Sequence, residues 1–182
     1  RCRKIVAVLP IVVAPDPRLK EKSGPVDAVT PQIRKLMDDM LETMYASGGI
    51  GLAAVQVVVH KRILVMDTER GSERYGARDE AKSRPLFLVN PEIVETSEDE
   101  NIYEEGCLSF PGQFAEVVRP RRARVKYLDY DGKEQVMDCD GLLATCVQHE
   151  MDHLEGIAFV DHVSSVKRDM ILRKMKKAQK RE

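Results

Sequence analysis

The segment DGLLATCVQHEMDHL, residues 140–154, decides how this chain is read. Leu142, Leu143, Cys146, Val147 and Leu154 recur at helical spacing and make a helix over about 142–154 largely apolar, hence buried. Asp140 stands where a capping side chain is expected. The same buried helix carries His149, Glu150 and His153, and buried ionisable groups need partners. Residues four apart share a helix face, so the two imidazoles can grip one metal ion. Glu150 lies beside that face, within reach of a water on the same ion, as a general base. With 4 His in 182 residues, an accidental match to this pattern is expected on the order of once in a hundred such chains. The alternative is a solvated face that happens to hold two histidines, and the apolar flanks oppose it.

Outward from this helix the pattern is mixed. Thr30 and Pro31 open a helix whose apolar positions Ile33, Leu36, Met37, Met40, Leu41, Met44 and Tyr45 run to Gly48-Gly49. Strands are predicted at 62–67, 86–90, 92–96, 101–104, 115–120 and 122–130, the last before the hairpin signal Asp131-Gly132. Residues 69–85, rich in charge and Gly/Ser, suit a solvated loop, and a third helix is predicted over about 165–179. The opening RCRKIVAVLPIVVA resembles a secretory signal, but Pro10 interrupts it, and an edge or buried strand is the better reading. The strands sit between well-separated helices and do not alternate with them. The expected fold is therefore α+β, with mainly antiparallel β-sheets packed around a central metal-binding helix and a C-terminal α-helix. Residues 1–182 read as one domain, with 1–10 as an extension and 165–182 as a basic C-terminal helix.

Composition narrows the function. Net charge is -1, from 29 Lys+Arg against 30 Asp+Glu, which argues against wholesale coating of nucleic acid. No apolar run approaches the roughly 20 residues of a membrane span. Four cysteines suit a ligand or nucleophile in a reducing compartment better than a disulfide scaffold. The charge is unevenly placed: residues 167–182 hold eight Lys/Arg and two acids, leaving 21 basic and 28 acidic residues in an acidic body.

Two histidines leave a metal site incomplete. Glu155, Asp161 and His162 lie downstream, but Cys107 in Glu105-Gly106-Cys107-Leu108-Ser109 is a better third ligand. Gly106 beside it lets the backbone approach a substrate. Alone, Cys107 reads more readily as a small buried hydrophobe. In Gly49-Ile50-Gly51-Leu52-Ala53-Ala54-Val55-Gln56 the small residues suit a closely packed loop, and Gln56 offers an amide donor.

Together these clusters resemble the peptide deformylase family, which carries Gly-x-Gly-Leu-Ala-Ala-x-Gln, Glu-Gly-Cys-Leu-Ser and Gln-His-Glu-x-Asp-His in that order. They stand here at 49–56, 105–109 and 148–153, and Asp16-Pro17-Arg18-Leu19 matches the usual opening. The resemblance implies a hydrolase that removes the formyl group from N-formyl-methionyl peptides, releasing formate. It implies one divalent metal per chain on Cys107, His149 and His153, with Fe2+ expected in the cell and Zn2+, Ni2+ or Co2+ possible after purification. Glu150 becomes the proton carrier, and the Gln56 side chain and Leu108 N–H become donors to the developing oxyanion. The methionine side chain is expected against Ile50, Tyr103, Leu142, Cys146 and the His149 ring. The peptide backbone is expected beside Gly49, Gly51, Glu105 and Gly106, with Gly51, Leu52 and Leu108 closing around the formyl group. An ion pair of Asp152 with Arg119 is expected to hold the metal helix to the sheet. The setting implied is the bacterial cytoplasm or an organelle, without a membrane, and the basic tail is a candidate for docking on ribosomal RNA. Departures from the family pattern are Val55, Val58, Thr145 and a longer segment at 70–85. Two other readings fit the residues: a different metal peptidase, and a binding protein whose structural metal is closed by Cys139 or Cys146.

Overall fold

A computed structural model of the protein describes residues 5–71 and 79–181. The helices are α1 (Pro31–Ala46), α2 (Gly141–Leu154) and α3 (Ser165–Gln179). The strands are β1 (Gly51–Ala53), β2 (Ile63–Met66), β3 (Leu86–Thr96), β4 (Glu100–Cys107), β5 (Phe110–Pro120), β6 (Arg122–Leu128) and β7 (Glu134–Asp140). Single 3-10 turns lie at Pro17–Lys20, Ala54–Val57, Glu80–Lys82 and Phe159–His162. The strands form a five-stranded sheet, β1-β2-β3-β6-β7, and a two-stranded one, β4-β5, with every pairing antiparallel. The α+β expectation holds, and α2 sits centrally, touching strands of both sheets.

The sequence ILVM of β2 shows why the core forms where it does. Successive strand residues face opposite ways, and both faces of β2 are covered. Leu64 and Met66 pack with Ala144, Val147, Met151 and Leu154 of α2. Ile63 and Val65 pack with Met37, Met40 and Met44 of α1, all three fully buried. Thr30 caps α1 by accepting the Ile33 N–H at 3.3 Å. Among the described residues, no helix is long and apolar enough to cross a membrane.

Several local expectations are corrected. Residues 5–13 form no strand. Their N–H groups instead find isolated acceptors, Ala7 on Asp39 Oδ1 and Leu9 on Thr43 Oγ1 (2.8 Å each), and Val12 on the Gln56 carbonyl at 2.8 Å. Pro10 has no N–H to continue a ladder. The small-residue segment expected as a loop is partly an edge strand, because Gly51–Ala53 pairs with Leu64–Met66. The runs 86–90 and 92–96 join into one strand across Pro91. Asn90 turns left-handed there (φ 50°), and its side chain brackets both backbone groups of Val26 at 2.8 Å. Asp140 holds the cap position of α2 without a capping hydrogen bond, its carboxylate lying 3.3 Å from Arg121 instead. Part of the expected loop at 69–85, residues 72–78, lies outside the described residues.

The basic C-terminal helix is not a detached tail. Ile171 and Met175 are buried with Phe159, Val160, Phe110 and Val117, while Lys174, Lys176 and Lys177 stay exposed. One backbone cost stands out elsewhere. Val58, where the family often has glycine, adopts φ 65° and ψ 30° after the 3-10 turn at Ala54–Val57. A β-branched residue in the left-handed region costs roughly 1–2 kcal/mol, more than the extra chain entropy of glycine. Val58→Gly is accordingly expected to raise the thermal midpoint by about 2–4 °C, measured by circular dichroism.

Candidate active site

α2 brings His149 and His153 to one face, with ring centroids 5.2 Å apart. Cys107 ends β4 just before the two-residue turn Leu108-Ser109, and that turn aims its thiol at the helix. Cys107 Sγ lies 3.3 Å from His153 Nε2. One ligand atom each from Cys107, His149 and His153 lie within 4.8 Å of one another. Tetrahedral coordination by sulfur and nitrogen places such atoms about 3.3–3.8 Å apart, so the trio fits a single cation. Glu155, Asp161 and His162 do not join it. Glu155 pairs with Arg62 at 2.6 Å, Asp161 with Arg168 at 3.3 Å and His162 with Asp152 at 2.7 Å. The spare thiols stand aside too. Cys146 Sγ donates to the Ile50 carbonyl at 3.6 Å, and Cys139 is buried in the sheet core.

Gln56 is fixed at both ends of its amide. Oε1 accepts the Ala53 N–H at 2.9 Å, and Nε2 donates to Ser109 Oγ at 3.0 Å while lying 3.5 Å from Cys107 Sγ. Glu150 is 4% exposed, its Oε2 is buried without a hydrogen-bond partner among the described residues, and burial lifts its carboxyl pKa to about 7. A carboxyl poised near neutrality can accept and return a proton.

Burial opposes charging His149, but the hydrogen bonds it donates to Cys107 and Glu105 hold its pKa well above the ordinary value, so a cation bound there would displace that proton. Burial, with His149 alongside, pushes His153 down to about 3 and keeps it neutral, as a ligand must be. His149 Nδ1 contacts Glu105 Oε1 at 2.8 Å, which leaves Nε2 to face the other ligands. His153 lacks such support, since its Nδ1 is buried without a partner among the described residues.

The Arg119–Asp152 pair is present at 2.8 Å, but it is one link in a longer chain. Arg119, 5% exposed, also grips Glu105 with two nitrogens at 2.7 and 3.0 Å. Glu105 therefore serves Arg119 and His149 together. Burial raises the Glu105 pKa, yet the hydrogen bonds from His149 and Arg119 outweigh it and hold the carboxylate below its ordinary range. Asp152 is likewise lowered against burial, by His162 and Arg119. The carboxylate of Glu105 was missed from sequence, where only its backbone was given a role. Its partners lie 14 and 44 residues away, and no local spacing reveals that.

A cavity of about 570 Å³ opens on this cluster. Gly49, Ile50, Gly51, Gln56, Glu105, Gly106, Cys107, Leu108, Leu142, Cys146, His149 and Glu150 all line it, whereas His153 does not. Tyr103 is also absent from the lining. It lies two residues, roughly 7 Å, back along β4, with its hydroxyl against Gly141 at the start of α2. Leu52 faces α1 and is fully buried, so it cannot close on a group in the cavity. The motif glycines are explained by contact. A Cβ on Gly51 would sit 2.6 Å from Glu150 Oε1, and one on Gly49 would sit 2.8 Å from Leu108 Cδ1. Gly106, which also lines the cavity, makes room for the Phe114 ring, 2.6 Å from such an atom.

Comparison with known proteins agrees with this geometry. The sequence pattern of the family described as polypeptide deformylase matches residues 8–169. The peptide deformylase of Rhizobium meliloti (strain 1021) is 49% identical over 176 residues, covering 96% of each chain. That of Rhodopseudomonas palustris (strain TIE-1) is 51% identical over 176 residues, covering 97% of each. Among solved structures, peptide deformylase from Ehrlichia chaffeensis superposes with a TM-score of 0.86 at 47% identity, over 96% of this chain and 98% of that one. The same protein in complex with actinonin also gives 0.86, at 49% identity over 94% and 98%.

Removing Glu105 leaves Arg119 buried without its main partner. Glu105→Ala is expected to cost about 3–5 kcal/mol in urea unfolding. The acid side follows from the same charges. Glu105 and Asp152 titrate below their ordinary 4.5 and 3.8. Their stabilisation is complete above those ordinary values and disappears as pH falls through the lowered folded ones. Fluorescence-monitored acid unfolding of Asp152→Asn should therefore be less steep in pH than that of the parent chain.

Proposed function

The chain belongs to the polypeptide deformylase family, and from that membership we propose how its own residues carry out the reaction. It is a metal-dependent hydrolase that removes the formyl group from the N-terminal formyl-methionine of newly synthesised proteins, releasing formate. The observation that carries the assignment of roles is the buried Glu150 carboxyl, with one oxygen unpartnered among the described residues, on the same cavity wall as Cys107 and His149.

Cys107, His149 and His153 would hold the cation, and a divalent ion bound there would polarise the formyl carbonyl and make water a better nucleophile. Glu150 takes the proton from the attacking water and returns it to the departing amine, which its pKa of about 7 suits. Negative charge developing on the formyl oxygen meets the side-chain amide of Gln56, which turns an N–H from Cys107 Sγ, and the N–H of Leu108, first residue of the turn after β4. One such donor is typically worth about 2.7–4 kcal/mol in the transition state. The methionine side chain rests against Ile50, Leu142, Cys146 and the His149 ring. The peptide backbone runs beside Gly49, Gly51, Glu105 and Gly106. Gly51 and Leu108 crowd the formyl carbon, so that only a hydrogen fits beside the carbonyl.

Fe2+ is the proposed cellular metal, in keeping with the family. The ligand set binds Zn2+, Ni2+ or Co2+ by the same donor chemistry. The bacterial relatives support a bacterial cytoplasmic setting, and a match over residues 8–169 supports treating 1–182 as one catalytic domain. The exposed Lys174, Lys176, Lys177 and Lys180 of the C-terminal segment support docking on ribosomal RNA.

Two measurements test these roles. Anaerobically metal-loaded Glu150→Ala is expected to hydrolyse a formyl-Met peptide at least about 100-fold more slowly while keeping its metal. Gly51→Ala, which displaces the same carboxylate without removing it, is expected to lower kcat about 100-fold. For the C-terminal helix, Lys174→Glu with Lys177→Glu leaves the Ile171 and Met175 contacts in place. The pair should abolish salt-sensitive co-sedimentation with ribosomes and spare hydrolysis of a short formyl peptide.

A further inference from the structure

The cavity wall assigned to the methionine side chain contains one polar group that the reaction does not use. Thr145 lines the cavity with Leu142 and Cys146 and is only 5% exposed; its hydroxyl has no hydrogen bond among the described residues and is not sealed off, so it opens on the cavity. A buried threonine on a helix ordinarily satisfies itself locally. Thr43 of α1 does so, donating to the Asp39 carbonyl at 2.6 Å and accepting the Leu9 N–H at 2.8 Å. The thiol next to Thr145 is also occupied, since Cys146 Sγ donates to the Ile50 carbonyl. Ile50 and Leu142 offer no polar atom from their side chains. A hydroxyl that opens on such a wall has its donor free for an acceptor on a ligand.

Resting on the assignment of roles above, we propose that Thr145 is a specificity-determining residue that donates a hydrogen bond to an acceptor at the end of the first side chain. The chain thereby deformylates N-formyl-methionine sulfoxide peptides as well as N-formyl-methionine ones. A thioether sulfur is a weak acceptor, and norleucine offers none. Oxidation to the sulfoxide gives a polar, chiral side chain whose oxygen needs a donor once buried. A wall with an aliphatic residue in place of Thr145 leaves that oxygen unpaired. The reaction itself is unchanged: water adds to the formyl carbon, the C–N bond breaks, formate leaves and the sulfoxide is retained. Thr145 is fixed on α2 and the sulfoxide sulfur is stereogenic, so one epimer is preferred.

The test uses the metal-loaded full chain with formyl-Met-Ala-Ser, its two sulfoxide epimers and formyl-norleucyl-Ala-Ser. Parent, Thr145→Val and Thr145→Ser are compared by kcat/KM. Thr145→Val should lower the ratio of the preferred sulfoxide to norleucine at least tenfold and erase the epimer preference, and Thr145→Ser should restore both. Calorimetric binding of the product Met(O)-Ala-Ser epimers should show the same loss and rescue. A ratio unmoved by Thr145→Val, or no epimer preference in the parent chain, overturns the proposal. Failure of the loaded parent to cleave even formyl-Met-Ala-Ser overturns the assignment of roles on which it rests.

Discussion

The buried carboxylate of Glu105 is the constraint on which the rest of the site depends. It takes both prongs of Arg119 and the outer nitrogen of His149, and Arg119 in turn reaches Asp152. Glu105 and Arg119 belong to the β4-β5 sheet, whereas His149 and Asp152 belong to α2. The two sheets are not hydrogen-bonded to each other. This chain of charges therefore joins the small sheet to the helix that also packs on the large one. Breaking a buried pair at one end strands the other charge, which makes the joint hard to loosen gradually. The same joint aligns His149, one of the three residues that could hold a metal ion, so stability and the geometry of that trio share one residue.

Steric contact fixes the remaining alignment. Gly51 lies against the Glu150 carboxyl and Gly49 against Leu108, so each motif shapes the position of a group from another. The edge strand β1 cannot move away from α2 without releasing Glu150, and the turn after β4 cannot shift without meeting Gly49. Burial then sets the chemistry. It raises Glu150 to about 7 and lowers His153 to about 3, giving a carboxyl poised near neutrality and a neutral imidazole within one turn of helix.

The uneven charge of the sequence takes on a different meaning in three dimensions. The basic C-terminal helix joins the core through Ile171 and Met175 beside Phe110 and Phe159, and Phe159 stacks on His149 at 6.1 Å. Its cations project from a structural element of the molecule. The helix is thus bound to the rear of the active site through apolar contact while its outer face stays charged.

Much was legible in the sequence because it was local. The apolar period of 142–154, the four-residue spacing of His149 and His153, and the caps and glycines of α1 are properties of neighbouring residues, and they gave the helices, the α+β class and two of the three residues that could hold a metal ion. Resemblance in three ordered motifs supplied Cys107 and Gln56. Tertiary structure alone decided the rest, because it depends on residues far apart in the chain. The carboxylate partnership of Glu105, the absence of Tyr103 and Leu52 from the cavity lining, and the placing of Thr145 on the cavity wall follow from packing. So does the failure of residues 5–13 to form a strand, since their acceptors lie on α1 and in the turn at Ala54–Val57. A helix announces itself by its period, whereas a side chain's partner across a sheet leaves no mark in the residues beside it.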